Sequence, residues 1–240
     1  SDKLAGTNTS ITIPNLSSIE KYVFSMASDE NYVWVGTRKG LNRYKKADGT
    51  WKLYNSANGM SSDFVFSVAS DGGYLWVGTP YGINRMDKIN ETFKTWTTGN
   101  GLGNNRVFCI SVDGNYIWCG TSEGMGKYSK LEDKWNNFTT NEGLVNNCVN
   151  SIAINNDEVW IGTDVGVSKY DKTTGAWQSL NTGDGLASNY INYVSAKGSE
   201  VWFGTKSGMS KYDKLANTWK TYTTADGIRD NYVRFILLDE

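Results

Sequence analysis

Tryptophan recurs at positions 34, 76, 118, 160 and 202, each 42 residues after the last. A chain that repeats at a period in the forties has few folds open to it. One unit of that size cannot cover its own apolar surface and must stack on its neighbours. The repeat runs through every part of the unit. A second aromatic keeps the step at Trp51, Phe93, Trp135, Trp177 and Trp219, and an apolar position follows it at Tyr54, Trp96, Phe138, Leu180 and Tyr222. Glycine keeps it twice, at Gly40, Gly82, Gly124, Gly166 and Gly208, and at Gly59, Gly101, Gly143, Gly185 and Gly227.

Each copy reads as four short strands. In the fourth copy these are Val149 to Ile154, the Trp160-Ile161-Gly162-Thr163 phrase, Val167 to Tyr170, and Ala176 to Leu180. Asn, Asp and Gly clusters separate them, which is hairpin punctuation. No stretch has sustained helical periodicity. Four antiparallel strands in about 40–45 residues is the blade of a β-propeller. The expected fold is therefore all-β: one propeller domain over residues 1–240, with five complete 42-residue repeats and a partial sixth blade shared by the two termini. First-strand starts recur at Val23, Val65, Val107, Val149, Ile191 and Val233, one more than the tryptophan phrases. Ser1 to Thr7 resembles Tyr212 to Thr218, so a fourth strand is expected near Ser10 to Ile13. Six repeats would need 252 residues and the chain has 240, which leaves the shared blade incomplete or the chain a piece of a longer propeller.

The repeated residues are assigned to packing, because identity in every copy is what stacking demands. The glycine of the Trp-x-Gly-Thr phrase is expected to permit a close approach or a tight turn. Asp29, Asp71 and Asp113 read as turn residues, and Arg43, Arg85, Lys127, Lys169 and Lys211 as solvated rim positions or weak surface ion pairs. Cys109 and Cys119 flank the turn at Asp113-Gly114-Asn115, so a cross-strand disulfide is open, although a free cysteine is usually a small buried hydrophobe.

Composition narrows the function. Lys plus Arg is 24 against 25 for Asp plus Glu, which lacks the basic footprint of a nucleic-acid binder. No apolar run approaches the roughly 20 residues that span a bilayer, so no membrane insertion is expected in this segment. There is no histidine, which removes the commonest general base and zinc ligand. No cofactor and no metal are expected. Acceptor patterns for N-glycosylation begin at Asn8, Asn15, Asn90 and Asn137, as a secreted chain allows.

The words Gly143-Leu144-Val145-Asn146-Asn147, Val159-Trp160-Ile161-Gly162-Thr163 and Gly166-Val167-Ser168-Lys169-Tyr170-Asp171 resemble the two-component regulator propeller repeat. They recur in all five copies, so the resemblance covers nearly the whole chain. It implies an extracellular or periplasmic sensor propeller of the kind linked to polysaccharide sensing.

Specificity has to come from columns where the copies differ. The loop entering the first strand carries Tyr22, Phe64, Arg106, Cys148, Tyr190 and Tyr232. The loop joining the second and third strands carries Arg38, Tyr81, Glu123, Asp164 and Lys206, and it opens on the same face. Aromatics with a few polar groups suit an oligosaccharide or a protein partner. The expected function is a non-catalytic binding propeller that uses this face. A structural or assembly role, with self-association through terminal strands, is the alternative. A propeller lyase or hydrolase is a weaker one, since no carboxylate pair stands out from the repeat.

Overall fold

The computed structural model describes residues 12–14 and 22–238. It consists of five four-stranded antiparallel sheets, each formed by consecutive strands in sequence order. The fourth sheet has strands Val149–Asn155, Glu158–Thr163, Gly166–Asp171 and Trp177–Leu180, close to the expected bounds. The only helical turns among the described residues are three short 3-10 segments in the linkers between sheets. The first strands of successive sheets are neighbours, and together they line one axial cavity. This is a propeller-like run of blades, numbered 1 to 5 here.

The repeated residues build the seams between blades. Trp34, Trp76, Trp118 and Trp160 are fully or almost fully buried. In the first seam Trp34, Leu41 and Tyr54 of blade 1 pack on Leu75, Val77 and Met86 of blade 2. The glycine after each tryptophan serves close approach. A Cβ on Gly36, Gly78, Gly120 or Gly162 would lie 2.5–2.9 Å from a methyl of Val65, Val107, Val149 or Ile191, which opens the next first strand. The threonine that follows closes the turn between the second and third strands. Its hydroxyl donates to the carbonyl at Gly40, Gly82, Gly124, Gly166 and Gly208 at 2.7–3.0 Å. Those glycines have φ between +128° and +138°, a region costly for any residue with a Cβ.

The turn aspartates do more than turn. The Asp29, Asp71 and Asp113 carboxylates accept the indole N–H of Trp34, Trp76 and Trp118 at 3.0–3.1 Å. Each also accepts a lysine ammonium from the following blade: Lys88, Lys130 and Lys172, at 2.7–2.9 Å. Blade 4 moves the acceptor to Glu158, which takes Trp160 at 3.2 Å and Lys214 at 2.6 Å. Every seam is thus stapled by a lysine, a carboxylate and an indole.

Several expectations need correction. Arg43, Lys169 and Lys211 do form the expected ion pairs, with Glu91, Glu158 and Glu200, but they and Arg85 and Lys127 are not solvated rim groups: each lies over the ring of its own blade's tryptophan, at 5.0–5.9 Å. The disulfide is absent. Gly120 stands opposite Cys109 and Cys119 opposite Ile110, so the alternation of the strand points the two thiols to opposite faces. Residues 232–238 carry no strand ladder, because no second strand lies beside them among the described residues. Yet Val233 enters as the other blades do. Its N–H donates to the Thr205 carbonyl at 2.9 Å, as that of Val65 does to Thr37, and its Cγ1 lies 3.0 Å from the Cβ position of Gly204. Of the strand expected near Ser10 to Ile13, Thr12 and Ile13 are described and form no ladder. Ser10, the Ser1 to Thr7 stretch, Asn8 and Asn15 lie outside the described residues.

Candidate functional site

Strand order sends two sets of loops to the same end of the axis: the entries to the first strands and the second-to-third turns. The first strands do not run straight into the cavity there. Pairing slips by one residue between Val23 and Ser25, Val107 and Cys109, Val149 and Ser151, and Ile191 and Tyr193. The extra residue is Phe24, Phe108, Asn150 or Asn192. A β-bulge re-aims the side chain of its extra residue, and here Phe24, Phe108, Asn150 and Asn192 line the axial cavity with Phe66 and Arg234. The cavity measures about 320 Å³.

Its wall is uneven. Blades 1 to 3 contribute a continuous aromatic arc. Phe24 lies 4.9 Å from Phe64, Phe64 4.5 Å from Phe66, and Phe66 5.5 Å from Phe108 between ring centres. Two guanidiniums sit on this arc. Arg38 lies 5.5 Å from Phe64, 5.8 Å from Phe24 and 5.9 Å from Tyr22. Arg106 lies 5.3 Å from Phe108 and 5.8 Å from Phe66. Blades 4 and 5 contribute amides that donate to groups of the protein itself. Asn150 donates to Asp164 at 2.8 Å and to the Ile191 carbonyl at 3.0 Å, and Asn192 donates to the Val233 carbonyl at 2.9 Å.

Of the residues singled out from sequence, Tyr22, Arg38, Phe64 and Arg106 come together on the aromatic arc. Tyr190, Asp164 and Lys206 gather beside it: the Lys206 ammonium is 3.2 Å from the Tyr190 ring centre. Burial and the neighbouring Asp164 raise the pKa of the Tyr190 hydroxyl. Tyr232 is exposed, with Arg234 5.1 Å above its ring. Tyr81 and Glu123 stand out on exposed turns, held only by their backbone N–H groups on Thr79 and Thr121. The column Phe24, Phe66, Phe108, Asn150, Asn192, Arg234 was missed. Its signal is variation inside a first strand whose flanking valine or isoleucine is kept, with a bulge breaking the alternation that would place it.

Cys148 borders the polar side. Burial, and then Asp164, push its thiol up to about 11, which keeps it largely protonated at neutral pH. Burial pushes Cys109 up to about 12. Another cavity, about 530 Å³, lies at the other end of the first seam and includes Asp29, Arg43, Lys88 and Glu91. Those charges are spent on one another: Lys88 on Asp29 at 2.7 Å and Arg43 on Glu91 at 2.8 Å. Among the described residues no group of three or more His, Cys, Asp or Glu is placed to hold a metal, and no helix is long and apolar enough to cross a membrane.

Four-stranded blades set around an axial cavity, with an aromatic and arginine-bearing mouth at one end, make a propeller-like fold. Solved structures share the fold. The extracellular domain of the hybrid two component system BT3049 from B. thetaiotaomicron matches 94% of this chain with a TM-score of 0.77 and 20% identity. That of the BT4673 system from the same organism matches 91%, with 0.74 and 21%. PorZ, a bacterial surface component of the type-IX secretion system of Porphyromonas gingivalis, matches 85%, with 0.64 and 14%. The chain spans about a third of the length of each, at 32%, 30% and 28% respectively. No family model matches the chain, and no curated protein matches it.

Proposed function

We propose that this chain is a non-catalytic, ligand-binding propeller unit of an extracytoplasmic sensor, and that it takes an oligosaccharide at the axial mouth. The observation that carries this is the contiguous arc from Tyr22 to Phe108, which crosses three blades and caps the cavity. Broad ring faces with hydrogen-bonding groups beside them suit a pyranose, whose C–H-rich face is apolar and whose rim is polar. The likeness to extracellular sensor domains supports the setting. The test is a panel of oligosaccharides against the parent and an Arg106→Ala, Tyr190→Ala, Tyr232→Ala triple variant. An unchanged melting midpoint with binding lost supports the mouth as the site; a variant that binds as tightly as the parent overturns it.

A second reading, assembly through a blade face, has its own observation. Trp202 is only half-buried where its four counterparts are almost fully buried, and Val23, Phe24 and Met26 of blade 1 are exposed. We favour a shared sixth blade at this gap. In support, the Val233 N–H donates to the Thr205 carbonyl as that of Val65 does to Thr37. On the other side Ile13 joins Val33, Val35, Tyr44 and Trp51 around an apolar pocket on blade 1.

A further inference from the structure

The two arginines on the aromatic arc differ from the stapling cations elsewhere in the molecule. Lys88, Lys130, Lys172 and Lys214 each end on a carboxylate of the preceding blade. Arg43, on the opposite end of blade 1, lies over rings much as Arg38 does, but its guanidinium is closed by Glu91 at 2.8 Å. Arg38 and Arg106 are exposed and touch rings, and among the described residues no carboxylate lies within ion-pair distance of either. A guanidinium held against rings has already lost much of its side-chain freedom, while its N–H edge remains open to solvent. The cost of ordering it on ligand binding is correspondingly small. A planar fork of donors of this kind matches a carboxylate in two parallel hydrogen bonds.

The rest of the mouth sets an orientation. The carboxylate of Asp164 lies on the amide-bearing side, fixed by Asn150 at 2.8 Å. The two guanidiniums of the arc belong to blades 1 and 3, and two cations on one stretch of ring wall favour an anion there. The same blades supply the ring faces, so the group that meets the arginines belongs to a sugar unit that also stacks.

We propose that the arc formed by Arg38, Arg106, Phe24, Phe64, Phe66 and Phe108 selects an acidic sugar, with the carboxylate of a uronic acid unit at the guanidiniums and its pyranose face on the rings. This rests on the mouth being an oligosaccharide site.

The experiment is calorimetric titration of the intact 240-residue chain with tetrasaccharides of uronic acids. Their carboxyl-reduced neutral counterparts, sulfated neutral tetrasaccharides and plain neutral tetrasaccharides form the comparison arms. The parent should prefer a uronate over its reduced form by about tenfold or more, since a charge-assisted hydrogen bond is at stake. Arg38→Gln with Arg106→Gln should erase that preference and leave the melting midpoint in place. Lys134→Gln with Lys220→Gln removes equal charge from outer strands and should keep it. If reduced and acidic forms bind alike and Phe66→Ala abolishes both, the carboxylate proposal fails while the mouth stands. Binding of the sulfated arm alone, or a preference that survives the double arginine variant, also overturns the proposal. If no arm binds, the proposal and the oligosaccharide reading fail together.

Discussion

Single residues in this chain divide by whether their column is constant. Trp118 is fully buried, and its indole N–H is satisfied by Asp113. Trp118→Ala should cost about 3–5 kcal/mol of stability, read as a lowered midpoint in denaturant. Gly120 is constant for a different reason: a Cβ there would lie 2.5 Å from both the Cys109 sulfur and a Val149 methyl. Gly120→Ala should cost about 1–3 kcal/mol by overpacking, despite adding apolar surface. Both roles are legible in sequence, because packing repeats whenever the blade repeats. Phe24, Phe66 and Phe108 are not legible in that way. Phe24 and Phe108 sit at bulges, where the period of two that assigns strand faces breaks down, and Phe66 lies just ahead of the first strand of its blade. Reading down the column rather than along the strand would have exposed them as variable.

At the level of the element, the seam staples decide how blades hold together. Lys130 reaches Asp71 across the second seam with both side chains largely shielded. Lys130→Met should therefore destabilise by about 1–2 kcal/mol, whereas Lys134→Met on an exposed strand should stay within about 0.5 kcal/mol. The staples also set the acid response. Burial raises the pKa of Asp29, but hydrogen bonds from Lys88 and Trp34 outweigh it and leave the carboxyl below its ordinary value. Glu158 is lowered likewise, with Lys169, Lys214 and Trp160 overcoming burial. A depressed folded-state pKa gives stability that is present above the unfolded value of about 4 and is lost as the pH falls through the folded one. The melting midpoint should thus drop on acidification below about pH 4, and Asp29→Asn with Glu158→Gln should flatten that limb. An equally steep limb in the double variant would remove the staples from the explanation. Sequence shows the aspartates only as turn formers. Their partners lie 59 residues away in Lys88, Lys130 and Lys172, and in blade 4 the acceptor changes column altogether.

For the whole molecule, the regular seams fix a frame, and the columns that vary between blades gather at one mouth of it. Blade number and strand order follow from the period, since four strands and one apolar unit recur without insertion. The grouping of Tyr22, Arg38, Phe64 and Arg106 follows from strand direction, which sends entry loops and second-to-third turns to one end. The division of the mouth into an aromatic arc and an amide side needs the three-dimensional register, because it depends on which residue each bulge turns inward. Binding at the mouth and assembly through blade faces differ in where they protect the backbone. Hydrogen exchange of the intact chain, saturated with the tightest-binding oligosaccharide of the panel, separates them most directly. Slower exchange should concentrate at residues 22–25, 38–39, 64–67 and 106–109. Protection confined to the outer fourth strands, with those segments unchanged, would contradict recognition at the axial mouth.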